Sequence, residues 1–201
     1  MRNDTALLDP ETVRHAVHRI EVGMKRDMSD PVGQGIRGRI AEDLGIRVDD
    51  VRVIDVYTIH ANLTGEEIDL VRRELFMDPI IQESSVDSML ARGFDFVIEV
   101  GFRPGVTDNV GKSSAEGIAD TLGRPLAPGE AVFKSTLYAL KGNVNAKHCE
   151  RIARDALANE LIQRWVVKSA SEIAAIDGRG LLGLPLVTER SSAEVRTINL
   201  D

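Results

Sequence analysis

Ile20-Glu21-Val22-Gly23 recurs as Ile98-Glu99-Val100-Gly101. Held at that offset, Asp30 meets Asp108, Val32-Gly33 meets Val110-Gly111, Ile40-Ala41 meets Ile118-Ala119, and Leu44-Gly45 meets Leu122-Gly123. Three residues are then inserted around Leu126-Ala127-Pro128-Gly129. Beyond the insertion, Tyr57 meets Tyr138, Asn62 meets Asn143, Arg73 meets Arg154, and Ile81-Gln82 meets Ile162-Gln163. Two aligned blocks broken by a single insertion mark an internal duplication, and its period sets the domain plan.

Each copy reads strand, helix, strand, helix, strand. In the first, His18–Lys25 alternates as a strand should. Asp30-Pro31 starts a helix: Asp caps a free backbone N–H, and Pro at the first helical position loses nothing. Val32, Ile36, Ile40 and Leu44 form its apolar stripe and Gly45 ends it. Val51–Ile59 is the second strand. Thr64-Gly65-Glu66-Glu67 is a capping box opening the second helix, with Ile68, Val71 and Leu75 on one face. Ile80–Val86 is the last strand. The second copy follows: strand Phe94–Phe102, helix from Asp108, strand Ala131–Leu140, helix from Asn145 with Cys149 and Ile152 inward, and strand Leu161–Val167.

A unit this small with a one-sided sheet is marginal alone. The expected fold class is therefore α+β. Two tandem units pack as a pseudo-dimer with an antiparallel-rich sheet and helices on one side. The expected division is a lead-in over 1–16, units over 17–87 and 94–168, and a Gly/Pro-punctuated linker over 169–201.

Composition narrows function. The formal charge is −7 and no basic run occurs, which argues against nucleic acid. No apolar run approaches the ~20 residues of a membrane span. Met1–Pro10 has no apolar signal core, and the one cysteine, Cys149, offers no internal disulfide. A cytoplasmic protein with no membrane contact is expected.

Two nucleotide motifs fail on context. Gly33-Gln34-Gly35-Ile36-Arg37-Gly38 matches G-x-G-x-x-G, but the helix starts before the glycines and the second copy lacks the pattern. Gly33, Gly35 and Gly38 read better as a Gly-rich helix in which the three together mark a close backbone approach, of helix on sheet or of a partner surface. Gly105–Ser113 misses the P-loop spacing and carries Asp108, whose charge opposes phosphate. Neither His15, His18, His60 nor His148 stands at metal spacing, and Cys149 lies on an apolar helix face. Glu21 and Glu99 are equivalent strand residues expected to face solvent, with an acid pair across the pseudo-twofold as the catalytic alternative. No catalytic, cofactor or metal residue is expected.

Phe102-Arg103-Pro104-Gly105-Val106-Thr107-Asp108-Asn109-Val110-Gly111 resembles the early loop of PurS proteins, and Met24–Gly33 is a looser version without the Pro-Gly turn. The unit endings Phe76–Gln82 and Leu157–Gln163 are similar to the PurS ending as well. The tail Val195–Asp201 resembles the stretch that leads into the ATP-using core of single-chain synthetases, so either a separate subunit or a piece of a longer chain is expected. The resemblance implies a non-catalytic assembly role in phosphoribosylformylglycinamidine synthase, part of an ATP- and glutamine-dependent C–N ligase of purine biosynthesis. The implied partners are the synthetase core (PurL) and the glutaminase (PurQ), between which ammonia passes, with self-association as a further option. It implies no cofactor in this chain, ATP and Mg being used by the synthetase. Lys25, Asp30, Arg103, Gly105, Thr107, Asp108 and Asn109 are the implied partner interface. The competing reading is an ACT-like small-molecule sensor with its ligand at the pseudo-dimer interface.

Overall fold

The computed structural model describes residues 16–175 and 181–185. The lead-in and most of the linker expected from sequence lie outside these residues.

The described chain runs β1 Val17–Met24, α1 Pro31–Leu44, β2 Asp50–His60, α2 Gly65–Val71, β3 Gln82–Val86, β4 Phe96–Phe102, α3 Asn109–Leu122, β5 Ala131–Lys141, α4 Ala146–Ile152, β6 Gln163–Ser169 and α5 Ala170–Ala174. α2 and α4 each end in a π-helical turn, Arg72–Phe76 and Ala153–Leu157. All strands pair antiparallel in one sheet of order β3-β1-β2-β5-β4-β6. The fold is α+β, as the strand and helix periodicities require.

The two units meet at β2 and β5, which pair along their whole length from Asp50↔Lys141 to His60↔Ala131. The register is nearly two-fold: Val51↔Leu140 at one end answers Ile59↔Val132 at the other. The helices then cross over. Ile36 and Ile40 of α1 pack with Ile98, Val100, Leu140, Cys149 and Ile152 of the second unit. Ile118 of α3 packs with Ile20, Val22, Ile59, Ile68 and Val71 of the first. Each fully buried aliphatic here contributes roughly 1.5–3 kcal/mol, so most of each core depends on the other unit.

The alternation in β1 and β4 sends Ile20, Val22, Ile98 and Val100 to the face carrying α1–α4. The opposite face is covered too. Ile54, Val56, Val97, Leu137 and Ala139 pack there with Leu90 and Phe94 of the connection between units, and with Ile173 of α5 and Leu181. The stretch from Ser169 that reads as linker thus starts with a short helix, capped by a Ser169/Glu172 capping box. Its single turn is too short for periodicity to show.

The start of α1 differs from the sequence stripe. Val32 is 61% exposed, and Gly33 takes the inward position. A Cβ at Gly33 would overlap the carbonyl oxygen of Val51, and one at Gly111 that of Val132. The helix N-terminus lies directly on the strand backbone, which only glycine permits. Of the three glycines expected to make a close approach, Gly33 alone does so; nothing lies within 4 Å of a Cβ added at Gly35 or Gly38, which face away from the sheet.

β3 and β6 begin later than the apolar runs suggest. Asp78 Oδ1 accepts from Ile80 N, and Gln82 Oε1 accepts from Asp78 N. Asn159 and Gln163 repeat both bonds. These side chains fold Ile80-Ile81 and Leu161-Ile162 into turns, leaving Ile80 74% and Leu161 86% exposed.

Gly33→Ala should lower the unfolding midpoint by an overpacking cost of about 1–3 kcal/mol. Gly35→Ala, where nothing lies within 4 Å of the added methyl, should raise stability by about 1 kcal/mol. Denaturant titration of the two variants checks the opposite signs.

Candidate functional site

β1 and β4 run in opposite directions across the sheet, so the loops that follow them sit at opposite ends. The expected interface residues therefore form two equivalent clusters rather than one site. Lys25 and Asp30 stand at one end. Arg103, Gly105, Thr107, Asp108 and Asn109 stand at the other.

The aspartates are structural anchors. Pairing of β1 with β2 stops at Gly23↔Ile54, which leaves the next amide of β2 without a strand partner. Asp30 Oδ2 accepts from that amide, Val53 N, at 2.8 Å, while Oδ1 accepts from Gly33 N at 2.8 Å. Asp108 does the same with Lys134 N at 2.6 Å and Gly111 N at 2.7 Å. One carboxylate caps a helix and terminates a strand pairing. The sequence shows the first role; the second needs the register.

The cations tie each early loop to the last turn of its own unit. Lys25 Nζ donates to Pro79 O at 2.7 Å and to Ile80 O at 2.8 Å. Arg103 Nε donates to Glu160 O at 3.0 Å. A turn closes each loop, with Met28 N donating to Lys25 O and Val106 N donating to Arg103 O. Gly105 adopts a φ of +84° there. The first loop closes without a Pro-Gly pair. Thr107 and Asn109 are exposed. Each end thus presents a cation beside an exposed aliphatic turn. Ile80 and Leu161 were missed by the sequence reading because an apolar run reads as strand interior.

Glu21 and Glu99 do not face solvent; they are 0% and 1% exposed. Their face of the sheet is the one covered by the inter-unit connection. Arg19, itself 2% exposed, joins them: its Nε donates to Glu21 at 2.8 Å and its Nη1 and Nη2 donate to the two oxygens of Glu99 at 3.1 and 3.0 Å. Leu90 N donates to the other oxygen of Glu21 at 2.7 Å, and Ser135 Oγ donates to Glu99 at 2.5 Å. Burial pushes the Glu21 carboxyl above its usual range, against the pull of Arg19 and the Leu90 amide. Burial works against the Arg19 charge, but Glu99 and Glu21 outweigh it and raise its pKa. The two acids do meet across the pseudo-twofold, through an arginine. They are saturated by protein donors, which makes them a lock between units and not an acid–base pair.

The Cys149 thiol is buried, and burial pushes it up to about 12. It is a core group, not a nucleophile. The described helices include none long and apolar enough to cross a membrane.

Residues 9–89 match the family model described as PurS: Phosphoribosylformylglycinamidine (FGAM) synthase. No curated protein matches the chain significantly.

Arg19→Met should destabilise the chain by about 3–5 kcal/mol, since it strands two buried carboxylates. The sign of its pH dependence follows from the raised Glu21. Charged Glu21 is penalised above its folded pKa, and protonation relieves the penalty as pH falls. The loss from Arg19→Met should therefore be smaller at pH 5 than at pH 8, read by urea unfolding at both. Asp108→Ala removes a helix cap and a strand-end bond together. It should cost about 1.5–3 kcal/mol, more than a surface cap alone.

Proposed function

We propose that this chain, whose residues 9–89 match the PurS family model, is a non-catalytic assembly module of phosphoribosylformylglycinamidine synthase. In this reading it bridges the synthetase core (PurL) and the glutaminase (PurQ) and supports ammonia transfer between them. ATP and Mg are used by the synthetase, not here. The second unit, with the same element order and the same aspartate and glycine anchors, serves as a second PurS-like unit in one chain.

The observation that carries the reading is the pair of equivalent loops at opposite ends of one rigid sheet. Each offers a cation clamped beside an exposed aliphatic turn, Lys25 with Ile80 and Arg103 with Leu161. Two separated, differently decorated ends suit a bridge between two unlike partners. Fixed loops also lose little freedom on binding, which favours association. The acids that a catalytic reading would use are consumed in the Arg19 lock.

Co-elution of this chain with synthetase core and glutaminase, together with glutamine-dependent activity, tests the proposal. The chain should restore activity that the two partners lack without it. Arg103→Glu should weaken assembly by about tenfold or more, equivalent to about 1.4 kcal/mol, with an unchanged circular dichroism spectrum. Assembly at wild-type strength would remove that loop from the interface.

A further inference from the structure

The face of the sheet opposite α1–α4 holds two cavities at equivalent places. One is lined by Gly23, Met24 and Ile54 with Ala139, the other by Gly101, Phe102 and Ser135 with Thr58. Each is crossed by the segment that follows its unit. Leu90 packs on Gly23 with its Cδ2 3.3 Å from the position of a Cβ, and Leu182 takes the same place on Gly101 at 2.6 Å. The second strap closes its cavity: Leu182, Gly183, Leu184 and Pro185 leave only about 20 Å³. The first strap, Leu90–Phe94, leaves about 210 Å³.

The open cavity also differs in charge. Arg26, Arg52, Arg92 and Lys141 line it, against Asp50 and Glu83, a net excess of positive charge on a chain of net charge −7. The equivalent positions around the second cavity carry Pro104 for Arg26, Phe133 for Arg52 and His60 for Lys141, while Arg164 stands there for Glu83 and, with Lys134, lines that cavity against Asp108. The strand framework does not require Arg26 or Lys141, since the second cavity forms with Pro104 and His60 in their places. Arg52 holds the early loop in place, its Nη2 donating to Met24 O at 2.6 Å and Lys25 O at 3.3 Å. Arg26, Arg92 and Lys141 are exposed at the mouth, and their side chains form no hydrogen bond or ion pair among the described residues. They come from three places, namely the β1–α1 loop, the inter-unit strap and the end of β5. Their convergence therefore needs the assembled pseudo-dimer.

We propose that this cavity binds a small phosphate monoester. Its volume lies below the range that holds drug-sized ligands, which suits a phosphate on a body no larger than a sugar. Guanidinium forks match phosphate oxygens in pairs, and a dianion matches the excess of cations better than a single carboxylate. The ligand would pin the strap to the seam between units. The proposal stands apart from the assembly reading, because it rests on the volume of this cavity and on the unpaired cationic side chains at its mouth.

Isothermal titration of the full chain at constant ionic strength tests it, with ribose 5-phosphate, inorganic phosphate and succinate as probes. Ribose 5-phosphate should bind saturably, inorganic phosphate more weakly and succinate weakest. The double variant Arg92→Gln/Lys141→Gln should lose at least about tenfold in affinity with an unaltered melting temperature. Lys147→Gln, an exposed cation on α4, should bind as wild type. Absence of saturable binding, equal loss in Lys147→Gln, or full affinity in the double variant would overturn the site. Succinate binding as tightly as the phosphates would overturn the phosphate assignment. Failure here leaves the co-elution result untouched, so the two proposals fall separately.

Discussion

The antiparallel pairing of β2 with β5 is the constraint from which the rest of the molecule follows. It turns two short sheets into one and removes an exposed strand edge from each unit. It also lets Ile36 and Ile40 of α1, which lies over β2, share a core with β4 and β5, and Ile118 of α3, which lies over β5, share one with β1 and β2, so each unit supplies a helix to the other's core. A core built by exchange cannot be kept by one unit alone. The duplication in a single chain makes that exchange intramolecular, and its effective concentration no longer depends on protein concentration.

The Arg19–Glu21–Glu99 lock works at the same seam from the other face. An arginine spanning two strands between buried carboxylates contributes little net stability, because desolvation offsets most of the attraction. Its geometry is what matters. Three side chains and the Leu90 amide are satisfied together only in the observed register and with the strap laid down as it is. A slip of one residue in β1 would turn Arg19 and Glu21 into the helix-side core.

The element order and the caps at Asp30, Thr64, Asp108 and Asn145 were legible because each is written in local spacing, whereas the three glycines of α1 look alike in sequence and only Gly33 meets a strand. The seam was not, since nothing local says which strand of one copy meets which of the other. Glu21 and Glu99 were misread for the same reason. Alternation shows that they leave the helix face, but whether the other face meets water depends on the straps, and these have no periodicity. Ile80 and Leu161 look like strand residues until Asp78, Gln82, Asn159 and Gln163 are seen to hold the turns. At the candidate interface only neighbours along the chain are legible, while the contacts from Lys25 to Pro79 and from Arg103 to Glu160 join positions far apart in it.

A duplicated fold carries its own control. Positions alike in both units, such as Asp30 with Asp108, Gly33 with Gly111 and Gly23 with Gly101, do the same structural work twice. Positions that differ while the backbone stays the same are free of that work. Arg26 against Pro104 and Lys141 against His60 are of this second kind, and both stand at the mouth of one cavity. Their convergence on the cavity that the first strap leaves open, while the second strap fills its counterpart, separates the two units by what each can hold.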